Sequence, residues 1–585
     1  MTPSRRHTLP ALIRKLVETV KSLELTEFTV SELDMMEKAL QTASATLRGM
    51  RNSVQSINRL PPELLAYIFS ETQLGLPSFL PVPPITVYWH QWLKLLEVCR
   101  HWRGVIASSP ALWSNVCSSA NGPAFIRRSH GAELTIYLGV PILGFSPSLM
   151  NMLAPHTSRF KELHMRVKAS ELEDLLKHQF FSSPAPRLNS LLMQVEKREE
   201  LDGVLPPIFC GHMPKLRQLA LGYFTSWPTG YFHNLTSLCL YHQRESSLPT
   251  TTEFLDFLEF SPHMEELVLI RGGPMRPSGT DVAPSTGRFV SLKRLQTLDL
   301  GDWPSASTIS RLLSHLSLPR KTAMYFWGNF SLFRDREDLG AVLPQDTSRL
   351  HNLKGIKEWF FIRTPITWTD FSPSTFQLVS VVDSTLYMNG EFPSSQILPS
   401  AISRYQLGRV RSLRLGECIQ SRGLRVSDWK SLLGLVPKLQ SLVIYATGSP
   451  QFTKAVISAL RPPKLFPPSL PTLDRVVCPA LKAVDIMEDA DVPFVHICSV
   501  SAQRTVYGAP QINFKFCGTP PPHQSSPVAY PSDSDSEYGF DAFGSGTHIQ
   551  RVEYIKSEEP GLRVAPPSWP TQAFLWSHYN RGYMY

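Results

Sequence analysis

The apolar residues of this chain follow two different periods. Leu33, Met36, Leu40, Ala43, Leu47, Met50, Val54 and Ile57 recur at alternating steps of three and four, after a shorter stripe at Leu9, Leu12, Leu16, Val20 and Leu23. Steps that average three and a half place side chains along one face of a helix, as in a heptad seam. The stretch from Thr26 to Ser31 interrupts the stripes, and Ser31 is expected to cap the second helix. Residues 1–57 therefore read as a helical hairpin or coiled-coil-like lead.

From about residue 158 the spacing changes to apolar, two variable residues, apolar, one variable residue, apolar. It runs through Phe160-Leu163-Met165, Leu188-Leu191-Met193, Leu216-Leu219-Leu221, Leu235-Leu238-Leu240, Met264-Leu267-Leu269 and Leu295-Leu298-Leu300. It returns as Val410-Leu413-Leu415, Leu439-Leu442-Ile444 and Leu481-Val484-Ile486. Most units lie 28–31 residues apart. That period is the pattern of leucine-rich repeats, in which each short strand buries its apolar side only by stacking on the next. Segments such as Glu253–Leu258, Thr308–Leu313 and Asp428–Leu433 have helical spacing between the strands. The gap from 301 to 409 has room for three more units, at Tyr325-Phe326-Trp327, Trp359-Phe360-Phe361 and Leu386-Tyr387-Met388. The expected fold is α/β: helices first, then an irregular leucine-rich-repeat solenoid of parallel strands and helices over 117–517. The tail, 518–585, with Pro520-Pro521-Pro522 and the run Ser532–Glu537, has no apolar period and is expected to be disordered.

Between these regions, residues 58–116 carry Leu60-Pro61-Pro62-Glu63-Leu64-Leu65-Ala66-Tyr67-Ile68-Phe69, then Leu95-Leu96-Glu97-Val98-Cys99-Arg100-His101-Trp102-Arg103, then Pro110-Ala111-Leu112-Trp113. In this order they resemble the F-box, a small helical module, and the layout is similar to that of many fungal F-box proteins. A Pro-rich insertion near 75–90 departs from the compact family pattern. The resemblance implies docking to a Skp-type adaptor, and through it to a cullin scaffold. It implies that Leu60, Pro61, Leu64, Ile68, Phe69, Val98, Trp102 and Trp113 form the adaptor-binding group. It also implies a substrate-recognition subunit of a ubiquitin ligase, working in the cytoplasm or nucleus, with a non-catalytic interaction scaffold as the alternative.

In a repeat solenoid, the residues between the core leucines face the concave side. Here His164, Arg166, Gln194, Tyr241, Ile270, Asp299, Arg414, Tyr445 and Asp485 are expected to form a surface for an unknown protein substrate.

Composition narrows the alternatives. Net charge is +9 over 585 residues and is unevenly spread, with 1–58 at +2 and 518–585 at −3. No basic run with interleaved aromatics points to nucleic acid. The eight cysteines have neither CxxC nor zinc-finger spacing, and the histidines are scattered. No apolar stretch is long enough to span a bilayer. Phosphate-loop, zinc-protease, nucleophile-elbow and dinucleotide motifs are absent. Neither a cofactor nor catalysis is expected.

Overall fold

The structure is a computed structural model. It describes residues 3–517, apart from 23–27, 75–90, 118–120, 139–146, 197–202, 244–247, 275–287, 330–341, 365–374, 381–385, 392–406, 419–424, 448–449, 463–472, 488–493 and positions 229, 302, 304, 357, 474 and 475. The Pro-rich insertion and the tail from 518 lie outside the described residues. The chain divides into two compact units, Met1–Asn115 with Ala124–Ala132, and Val116–Pro123 with Glu133–Tyr585.

The first unit is helical. Helix α1 spans Pro3–Ser22 and α2 spans Val30–Ser53. The cap of α2 is Thr29 rather than Ser31: its side chain accepts from the Glu32 N–H while Glu32 bonds back to the Thr29 N–H at 2.9 Å. This capping box satisfies two amide donors that a helix start otherwise leaves open. After a 3-10 turn at Ser56–Arg59 come α3 (Pro62–Leu74), a single helical turn at Leu95–Val98, α4 (Arg100–Ala107) and a 3-10 turn at Pro110–Trp113.

The second unit holds eighteen described strands. They are β1 (Asn115–Cys117), β2 (Leu134–Leu138), β3 (Phe160–Lys168), β4 (Ser190–Glu196), β5 (Gln218–Gly222), β6 (Ser237–Tyr241), β7 (Glu266–Ile270), β8 (Val290–Ser291) and β9 (Thr297–Gly301). They continue as β10 (Leu316–Ser317), β11 (Ala323–Asn329), β12 (Glu358–Thr364), β13 (Thr375–Ser380), β14 (Leu386–Glu391), β15 (Ser412–Cys418), β16 (Ser441–Thr447), β17 (Ala483–Met487) and β18 (Asn513–Cys517). Sixteen of these form one sheet and β8 pairs with β10 apart from it. From β2 to β11 the sheet strands pair in parallel, each with the next.

The register explains the repeated leucines. Leu163, Leu191, Leu219, Leu238, Leu267, Leu298 and Met324 are Cα partners in one continuous row. All seven are fully buried. A slip by one residue would turn every one of them to the other face, so the apolar pattern itself fixes the pairing. Helices between strands close this side. One of them, Thr251–Glu259, is capped by a Thr250–Glu253 box and buries Phe254, Leu255 and Leu258.

The gap region differs from three consecutive repeats. Strands do form at the three aromatic motifs, but β13 adds a fourth and the spatial order is β11-β14-β13-β12-β15. Strand β13 runs antiparallel to both its neighbours, while β14 and β12 stay parallel to the strands outside them. An antiparallel pair needs no crossover helix between its strands.

One buried cation lies among the later helices. Arg504, on the helix Phe494–Val506, is fully buried and donates to the carbonyls of Leu460 (3.2 Å), Val477 (2.6 Å) and Cys478 (2.8 Å). Burial lowers its pKa to about 10. Three carbonyl partners tie a helix to two loops, in place of an acidic partner. Arg504→Ala is expected to destabilise the second unit by about 3 kcal/mol, because several buried acceptors lose their donor together. Urea unfolding of the full chain, followed by tryptophan fluorescence, measures the loss.

Candidate functional site

The first unit buries one face of α3 and leaves the other bare. Pro62 opens the helix, where a missing N–H costs nothing, and the Leu65 N–H donates to the Pro61 carbonyl at 3.1 Å. Leu65 and Phe69, one turn apart, are 0% and 1% exposed. Leu64, Tyr67 and Ile68 sit on the opposite side at 51%, 64% and 38% exposure. Pro61 is exposed beside them and Leu60 is half-buried. Val98, at the end of the turn Leu95–Val98, is 53% exposed, and Ile57 is 37% exposed.

Two tryptophans hold this arrangement. The Trp102 ring lies 4.9 Å from the Phe69 ring, and its Nε1 donates to Asn58 Oδ1 at 2.6 Å. Asn58 Nδ2 in turn donates to the Asn52 carbonyl at the end of α2. Cys99 caps α4, its sulfur accepting from the Trp102 N–H. Trp113 is 1% exposed and packs edge-on against Trp92 (5.3 Å) and Phe125 (5.1 Å). Its Nε1 donates to the Ile106 carbonyl at 2.8 Å, and the Arg128 guanidinium lies 4.3 Å above the ring. Gln73 bridges from α3, donating to the Leu112 carbonyl at 2.8 Å.

The eight residues expected to dock therefore separate by position. Pro61, Leu64, Ile68 and Val98 are exposed, and Leu60 and Trp102 are half-buried. Phe69 and Trp113 lie in the core of the module, behind the exposed face of α3. Their size is the reason, since a short three-helix unit has few other groups large enough to fill its centre. Tyr67, three residues after Leu64 on α3, is exposed on the same side.

The second candidate surface lies on the sheet face opposite the leucine row. The structure brings its predicted members into register. Arg166, Gln194, Gly222, Tyr241, Ile270 and Gly301 form one row, and His164, Leu192, Ala220, Cys239, Val268 and Asp299 form the next. The expectation of an open surface fails for most of them. His164, Gln194, Tyr241, Ile270 and Asp299 are only 2–7% exposed. Neighbouring strands cover one another here. The Tyr241 ring lies over Gly222, so close that a Cβ at 222 would fall 2.5 Å from Cε2. His164 stacks on Tyr137 at 4.7 Å and bonds to Glu162 at 3.4 Å. That bond holds the Glu162 carboxyl below its ordinary range, while burial pushes the Tyr137 and Tyr241 hydroxyls well above theirs. Past the strand ends, Gln243 donates to the Phe224 carbonyl at 2.5 Å and accepts from the Gly273 N–H at 2.9 Å.

Accessibility returns at the other end of the sheet. Arg414, Val443, Asp485 and Lys515 form one row across β15–β18, and Tyr445 lies in the row beside it. All five are half-buried. Arg414 pairs with Glu358 at 2.6 Å, and burial raises the Asp485 carboxyl while Lys515 opposes that rise.

A family model described as F-box-like matches residues 57–119. No curated protein matches the chain. Among the described residues, no helix is long and apolar enough to cross a membrane, and no group of three His, Cys, Asp or Glu side chains is placed to hold a metal ion.

Two contrasts test these placements. Trp113→Ala is expected to destabilise the first unit by about 3–5 kcal/mol, and the exposed Leu64→Ala by no more than about 0.5 kcal/mol. Hydrogen exchange over 57–119 separates the two. Gly222→Ala is expected to cost about 1–3 kcal/mol through overpacking against Tyr241, visible as a lower thermal midpoint; an open sheet face would tolerate the methyl.

Proposed function

On the premise that the chain carries an F-box-like domain, we propose that it is a substrate-recognition subunit of a Skp/cullin-type ubiquitin ligase. The observation that carries this reading is the apolar strip Pro61, Leu64, Tyr67 and Ile68, with Val98. It is left outside a module whose centre is already filled by Leu65, Phe69, Ile106 and Trp113. Burying a side chain of this kind on a partner contributes on the order of 1–2 kcal/mol. A few such anchors meet an adaptor of helical, apolar surface in the manner of helix-in-groove recognition.

On this reading the protein performs no chemistry. It holds a substrate near the ubiquitin-carrying enzyme, and the rate gain comes from effective concentration. The parallel sheet supplies the receptor as a leucine-rich-repeat solenoid. The period of the LxxLxL motif and its in-register leucine row support that assignment. The substrate surface belongs at the accessible β15–β18 end, around Arg414, Tyr445, Asp485 and Lys515. Their mixed charge suits a protein partner better than a nucleic acid. The location that follows is the cytoplasm or nucleus, where such ligases act.

Adaptor binding is tested with the full chain and a purified Skp-type adaptor by interferometry. Leu64→Ala/Ile68→Ala is expected to weaken binding at least tenfold with an unchanged thermal midpoint. A wild-type chain that does not bind, or a double variant that binds equally well, overturns the ligase reading and leaves an interaction scaffold.

A further inference from the structure

The apolar seam of α2 is exposed among the described residues. Leu33, Met36, Leu40, Leu47 and Met50 are 40%, 38%, 43%, 43% and 58% exposed, and α2 contains no buried residue at all. Helix α1 does not shield it, since Leu12, Leu16 and Val20 are themselves 63%, 46% and 49% exposed. Yet α2 is built as a well-specified helix, with a full capping box and a seam of unbroken three-four spacing. A heptad seam in which no residue is buried by the described chain is a surface for another helix.

Charge selects the occupant. The first turns of α2 carry Glu32, Asp34 and Glu37, and the last turns carry Arg48 and Arg51. A parallel pair of α2 helices would set Glu32 of one copy beside Glu37 of the other, the flanking positions that face each other in parallel coiled coils. An antiparallel pair does the opposite. Glu37 and Arg51 each stand four residues after a seam leucine, on the same edge, and antiparallel packing brings that edge against itself in reverse. Glu37 of each copy then approaches Arg51 of the other.

We propose that α2 forms an antiparallel homodimeric coiled coil, so that the protein associates with a second copy of itself through Leu33–Met50. The seam layers are Leu33 on Met50, Met36 on Leu47 and Leu40 on Ala43, each made twice. Together with the flanking side chains, a pair of helices of this length buries on the order of 1,200 Å², the low end for a stable specific interface. The affinity expected is therefore micromolar. The proposal is independent of the ligase reading, because it uses none of the residues of the α3 face.

Sedimentation velocity of the full chain from about 1 to 100 µM tests it. A concentration-dependent dimer is expected. Leu40→Glu/Leu47→Glu should abolish it with an unchanged thermal midpoint, since both positions are exposed in the single chain. Glu37→Arg should weaken dimerisation at least tenfold, and Glu37→Arg/Arg51→Glu should restore it. A chain that stays monomeric throughout overturns the proposal. So does a dimer indifferent to Leu40→Glu/Leu47→Glu, which would lie elsewhere. A dimer strengthened by Glu37→Arg would be parallel and overturns the stated geometry. A monomer whose thermal midpoint falls on Leu40→Glu/Leu47→Glu assigns the seam to α1 of the same chain.

Discussion

The second unit rests on a single constraint: a parallel strand cannot bury its apolar side alone. Each LxL segment presents two core side chains on one face, and only the neighbouring strands and the helix behind them remove those side chains from water. The row Leu163–Leu191–Leu219–Leu238–Leu267–Leu298–Met324 is this constraint made visible. Register, strand order and helix placement between β3 and β11 all follow from keeping it continuous. The opposite face follows too, because strands held at that spacing leave little room between side chains once Tyr241 lies on Gly222.

The F-box-like module solves a smaller version of the same problem by a different route. With only short helices available, it fills its centre with large rings, Trp92, Trp113, Phe125 and Phe69. Trp102 links that centre to Asn58 and thence to the end of α2. Because the rings saturate the interior, Leu64, Tyr67, Ile68 and Val98 have nowhere inside to go. The exposed apolar face of α3 is thus a consequence of core packing.

Sequence reasoning succeeded and failed along the same line. The sidedness of every LxxLxL strand was legible, since alternation of side chains is a property of the strand itself. Whether the side opposite the leucines stays open was not legible. His164, Gln194 and Asp299 stand between the core leucines, on the side a solenoid leaves concave, yet their burial depends on which residues stand on adjacent strands. In the gap, Trp359-Phe360-Phe361 and Leu386-Tyr387-Met388 were rightly seen as strands, but β13 between them carries no comparable motif and reverses the order. Thr29 displaced Ser31 as a cap because Glu32 stands three residues after Thr29, the spacing that a reciprocal box requires.

By itself, then, the sequence determined where the lead helices and the LxxLxL strands lie, which face of each such strand is apolar, and that residues 58–116 carry an F-box-like pattern. These are local or periodic properties, set by side-chain spacing and cap chemistry within a few residues. Only the tertiary structure decided which members of the F-box-like motif are core and which are surface, and which rows of the sheet are accessible. Burial is a joint property of residues far apart in the chain. Phe69 and Ile68 are adjacent in sequence and equally apolar, and the position of Trp102 more than thirty residues later places one inside and leaves the other facing out.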